Sequence, residues 1–162
     1  MQFKKQNNKV AIIMGSQSDH SIMKDCEKIL KILKVKYQVS IVSAHRTPKR
    51  MFDFAEKAEK NGFGVIIAGA GGAAHLAGMV ASLTILPVLG VPMETKKLKG
   101  LDSLLSMVQM PKGVPIGCLA IDGAFNAGIL AASIIGNYDE KIKSNLEKWR
   151  RLQTQSIKKK TK

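Results

Sequence analysis

The sequence is poor in several of the residues that mark common protein classes. Its two cysteines, Cys26 and Cys118, form no C-x-x-C pair and lie far apart, which argues against a disulfide framework or a thiolate metal cluster. Each sits inside an apolar segment, where a small buried thiol fits. The three histidines, His20, His45 and His75, include no i,i+4 pair, so no metal centre is expected. Every apolar run is broken by Gly, Pro or Ser before the ~18 residues that a membrane span requires. The leading MQFKKQNNK is basic but enters the strand-like VAIIM directly, with neither a signal core nor a small-residue cleavage site. A cytoplasmic protein with no membrane partner is expected.

Acidic residues are also few: 12 Asp and Glu face 26 Lys and Arg, giving a net charge of +14 and a pI near 9.9. Such charge suits nucleic acid when it is concentrated and interleaved with aromatic rings, but aromatics are 5% of this chain. Arginine occurs only at Arg46, Arg50, Arg150 and Arg151, and the lysines are spread over polar helix faces and both ends. A solvated surface with no nucleic-acid partner is the expectation.

What is present is an ordinary globular composition, 45% apolar and 23% charged over 162 residues. One domain over 1–162 is expected, with a core of about 9–153 and a basic tail at 154–162. Short apolar runs predict strands at Val10–Met14, Tyr37–Val42, Val65–Ala68, Pro87–Val91 and Ile116–Ile121, each buried on both faces. Between and after them, helical spacing falls at Ser21–Leu33, Pro48–Lys60, Ala74–Ser82, Asp102–Gln109, Asn126–Ile135 and Glu140–Gln153. Thr47 is placed to cap the second helix, Pro48 to open it and Gly62 to follow it. The alternation predicts an α/β fold, a parallel sheet of five strands covered on both faces. The last helix carries Ile142, Leu146, Trp149 and Leu152 on one stripe, which needs a partner surface on its own domain or on a neighbouring subunit.

In such a sheet, ligands bind beyond the carboxyl ends of the strands. The loops there read Gly15-Ser16-Gln17-Ser18-Asp19, Ser43-Ala44-His45-Arg46-Thr47-Pro48 and Gly69-Ala70-Gly71-Gly72-Ala73-Ala74-His75-Leu76. The first suits a phosphorylated sugar at a helix start, or simply a cap by Ser18 or Asp19. The third lets backbone approach a flat ligand, or lets a helix pack closely on the sheet. The second sets an imidazole that moves protons near neutral pH beside a guanidinium fork for phosphate or carboxylate. Alone, His45 could be a structural hydrogen-bonding residue and Arg46 a surface ion pair; facing two other unusual loops, they form a candidate site. His75 either joins that site or orients its loop, and His20 is expected at the surface.

Five segments in order, MGSQSD at 14–19, SAHRTP at 43–48, AGAGGAAHL at 68–76, LPVLGVP at 86–92 and SLLSMVQMPKGVPIG at 103–117, carry a family resemblance. From about Lys9 to Gln153 the chain resembles the bacterial 5-(carboxyamino)imidazole ribonucleotide mutases, the catalytic-subunit family of phosphoribosylaminoimidazole carboxylase. The resemblance implies a flavodoxin-like three-layer α/β/α sandwich, usually a homo-octamer, whose C-terminal helix reaches toward neighbouring subunits. It also implies an isomerase of de novo purine biosynthesis that takes a small ribonucleotide, N5-carboxyaminoimidazole ribonucleotide, to 4-carboxy-5-aminoimidazole ribonucleotide without a cofactor. By the same resemblance, Ser16, Asp19 and Arg46 hold the ribonucleotide, Asp19 at ribose hydroxyls and Arg46 at phosphate. His45 becomes the proton carrier, and Ser18, Ser43, Ala44, Gly71, Gly72 and His75 line the pocket around ring and carboxylate. GAGGAAHL favours the mutase over the relative that carboxylates aminoimidazole ribonucleotide with free carbon dioxide.

Two departures stand out. Ala77 replaces a proline expected after HL, and the 121–127 loop is about two residues shorter than the family's. A competing expectation, a dinucleotide-dependent oxidoreductase, arises because Gly69–Ala74 fits G-x-G-x-x-A with Glu94 about twenty residues on. That fingerprint usually opens the first βα unit, and it leaves the His-Arg loop unexplained.

Overall fold

The computed structural model describes residues 7–158. Five parallel strands alternate with helices: β1 (Lys9–Met14), α1 (His20–Ile32), β2 (Lys36–Ile41), α2 (Pro48–Lys57), β3 (Phe63–Ala70), α3 (Leu76–Ala81), β4 (Val88–Pro92), α4 (Leu101–Val108), β5 (Gly117–Cys118), α5 (Ala124–Gly136) and α6 (Glu140–Ser156). The sheet order β2-β1-β3-β4-β5 is the flavodoxin-like order, in which chain direction across the sheet reverses between β1 and β3.

Alternation along the strands divides the core into two layers. Val10, Ile12, Met14, Val65 and Ile67 pack against α1 and α5, where Met23, Cys26, Ile29 and the alanines of α5 are buried. Ala11, Ile13, Ile66 and Ala68 pack against Met51 and Ala55 of α2, Leu76 and Val80 of α3, and Met107 of α4. Each fully buried Ile, Leu or Met contributes about 1.5–3 kcal/mol. The Cys26 thiol donates to Ala124 O at 2.8 Å, and burial pushes its pKa up to about 12, consistent with the structural role expected of it.

Continuous burial holds for β3 and β4 and nearly so for β1, but β2 is an edge strand whose Lys36, Gln38 and Ile41 are exposed. At the other edge the strand expected over Ile116–Ile121 shrinks to two residues, because only Gly117 and Cys118 stay in register with β4. Helix α6 runs to Ser156, so the basic tail begins later than expected, and residues 159–162 lie outside the described ones. Ile142 and Leu146 bury against the chain's own core, and the Trp149 ring lies 6.2 Å from that of Phe125 on α5. Leu152, fourth on the stripe, remains 55% exposed.

Candidate active site

The loops after β1, β2 and β3 converge at the switch point between β1 and β3 and are tied together by hydrogen bonds. Gly15 N donates to Gly69 O (3.2 Å), Val42 N to Met14 O (2.8 Å), and Arg46 Nη2 to Gly15 O (2.8 Å).

The first loop folds on itself. Ser16 caps a single 3-10 turn, Gln17–Asp19: its hydroxyl accepts from Ser18 N (3.1 Å), while Asp19 Oδ2 accepts from Ser16 N (3.1 Å). Asp19 occupies the N-cap position of α1 as expected but makes no side-chain cap bond there; the side-chain cap is that of Ser16 on the 3-10 turn, with Asp19 reaching back. Burial holds the Asp19 carboxyl above its ordinary range, against the lowering pull of the Ser16 N–H, Ser18 and the Arg46 guanidinium.

In the second loop Thr47 stands at the head of α2 but gives it no side-chain cap. Its hydroxyl instead accepts from Ser43 N and donates to Ser43 O, both at 3.0 Å. Ser43, 8% exposed, accepts from Arg46 N (3.3 Å) and Arg46 Nε (3.4 Å). The loop thus closes on Ser43 and presents His45 and Arg46 outward from buried Val42 and Ala44. In the third loop, Gly72 turns the chain at φ 70°, a left-handed conformation that suits glycine. His75 then meets His45, Nδ1 to Nε2 at 3.0 Å, with the rings edge to face. An N–H···N bond needs one protonated and one bare nitrogen, so the two imidazoles share a single proton along it.

A cavity of about 370 Å³ opens among these loops, within the range of small-molecule sites. Of the expected residues, Ser16, Ser18, Asp19, Ser43, Ala44, His45, Arg46 and Gly71 line it. Gly72 and His75 do not; Gly72 is bonded to α4, and His75 contacts His45. Gly15, Ala70, Ala73 and Leu76 also line it; they lay inside the quoted loops, but small and aliphatic side chains gave no chemical reason to single them out. His20, 41% exposed, pairs with Glu27 at 2.8 Å, outside the cavity.

Ala77 is fully buried in the first turn of α3, a part of a helix whose backbone N–H groups have no partner within the helix. The short 121–127 loop is pinned to the end of β4: Asp122 N donates to Pro92 O and Asp122 Oδ1 accepts from Glu94 N, both at 2.9 Å. None of its residues lines this chain's cavity. The glycine fingerprint follows β3 rather than β1, and Glu94 lies beside Lys99 at 3.8 Å, away from the cavity.

Sheet order and switch-point cavity, with a histidine pair beside an arginine on its rim, define a doubly wound α/β protein. More specifically, the chain belongs to the AIR carboxylase family, whose model matches residues 9–156. It is 54% identical to the N5-carboxyaminoimidazole ribonucleotide mutase of Escherichia coli K12, covering 92% of this chain and 89% of that protein. It is 58% identical to the protein of the same name from Thermotoga maritima, covering 88% and 86%. The crystal structure of PurE from Treponema denticola superposes with a TM-score of 0.84 at 26% identity, covering 92% and 93%.

Proposed function

We propose that the chain is an N5-carboxyaminoimidazole ribonucleotide mutase acting in purine biosynthesis, with His45 as its proton carrier. The observation that carries this reading is the placement of His45 and Arg46 on one wall of the switch-point cavity, with His75 on His45 Nε2. Ser16, Asp19 and Arg46 hold the ribonucleotide, Asp19 at ribose hydroxyls and Arg46 at phosphate, where its fork matches the oxygens. Ser18, Ser43, Ala44 and Gly71 surround ring and carboxylate, and Gly72 and His75 support them.

Protonated His45 gives a proton to the carbamate nitrogen; the C–N bond breaks, and carbon dioxide is released inside the cavity. The ring carbon attacks it, and the now neutral His45 removes the ring proton, restoring aromaticity. The proton given is regained, so the isomerisation balances without redox change or hydrolysis. Proximity and exclusion of water keep the trapped gas productive.

The family resemblance adds a homo-octamer in the cytoplasm. Support for assembly comes from large apolar side chains left uncovered: Ile85 at 87%, Leu98 at 57%, Leu101 at 52% and Leu105 at 50% exposure. The test of substrate supplies purified protein with N5-carboxyaminoimidazole ribonucleotide, or with aminoimidazole ribonucleotide plus bicarbonate, and measures 4-carboxylated product. Turnover of the first is expected; efficient turnover of only the second would make the chain a carboxylase of free carbon dioxide.

A further inference from the structure

The cavity wall formed by Ala70 and Gly71 is held from behind by residues distant in sequence. Ala70 O accepts from Met93 N (2.9 Å), Met93 O accepts from Ser103 Oγ (2.7 Å), and Ser103 Oγ accepts from Gly72 N (2.9 Å). This relay leaves β3 at its last residue and re-enters the chain two residues later, bracketing Gly71. Ser103 is fully buried, and its single proton is committed to Met93 O, leaving its lone pairs to Gly72. One turn along α4, Ser106 Oγ lies 3.2 Å from Gly72 O and 2.7 Å from Asp102 O, dividing its proton between the loop and its own helix. The start of α4 is itself anchored, since Thr95 Oγ1 donates to Asp102 at 2.8 Å. No slack exists behind the wall: a Cβ added at Gly71 would lie 3.2 Å from Met93 Cβ.

We infer that Ser103, assisted by Ser106, is a positioning residue for the reaction, fixing through Gly72 the Ala70–Gly71 wall against which carbon dioxide is trapped. The inference rests on the function proposed above. The ribose and phosphate contacts belong to the other two loops, so a loosened wall leaves most of the substrate's affinity intact. It lets the gas escape, and the protonated intermediate leaves as aminoimidazole ribonucleotide.

Ser103→Ala tests this, with wild type as reference and the enzyme-free decay of substrate subtracted. The expected result is a kcat lowered about tenfold or more, since small misplacements at a reacting centre are costly, with KM within about twofold. Aminoimidazole ribonucleotide rises as a share of product, and the Gly72 amide loses protection in hydrogen exchange while β1 amides keep theirs. Ser106→Ala shifts kcat and product partition the same way by less, and Ser106→Thr restores both; this pair decides the matter if Ser103→Ala does not fold. Unchanged kcat and partition in folded Ser103→Ala, with an active wild type, would overturn the inference. A wild type inactive on the mutase substrate would instead overturn the proposed function, and Gly72 exchange would still decide whether Ser103 holds the wall.

Discussion

His45 and His75 are joined by one hydrogen bond, Nε2 to Nδ1 at 3.0 Å, so His75 fixes the orientation of the His45 ring. His75→Ala is expected to lower kcat about tenfold with KM little changed; an unaltered kcat would remove His75 from the positioning of His45. Asp19 is held above its ordinary value of 3.8 chiefly by burial, so its ionisation opposes folding at neutral pH and that cost vanishes as pH falls below the ordinary value. Asp19→Asn keeps an oxygen for Ser16 N. It should therefore melt no lower than wild type at pH 7, with the difference shrinking toward pH 4, while nucleotide affinity falls. Titratable and forked side chains such as His45, Arg46 and Asp19 were legible in the sequence because their chemistry is uncommon beyond strand ends. Ser103 was not: a serine inside an apolar helix looks like a solvated residue until the Gly72 amide is seen above it.

At the scale of elements, the β1, β3 and β4 runs announced themselves by continuous apolar composition. The edges did not. β2 buries only part of its side chains, and β5 pairs over two residues although its apolar run is longer, because an edge strand has one neighbour to set its length. Thr47 was legible as a helix start but not in its task, since its hydroxyl serves Ser43 instead of α2. A side-chain cap is present at α6, where Asp139 Oδ1 accepts from Lys141 N (3.1 Å) and Ile142 N (3.2 Å). Asp139→Ala should cost about 1 kcal/mol in denaturant unfolding. A hydrogen bond from Asn8 and these amides lower the Asp139 pKa from 3.8. Its contribution is thus present above that value and lost as pH falls through the lowered one, so the gap between variant and wild type should narrow as pH falls below 3.8.

For the whole molecule, composition excluded more than it assigned. The net charge of +14 is unexplained by the site, which uses one arginine. Uncovered Ile85, Leu98, Leu101 and Leu105 point to association, and light scattering should give a mass several times 17.6 kDa; a monomer at micromolar concentration would contradict that. The proton shuttle is tested most directly by single-turnover conversion of N5-carboxyaminoimidazole ribonucleotide by wild type and His45→Asn, at equal nucleotide occupancy. The expected result is 4-carboxylated product from wild type and a loss of about 10²–10⁴-fold in the variant. Near-normal conversion by a folded, nucleotide-bound His45→Asn would contradict it.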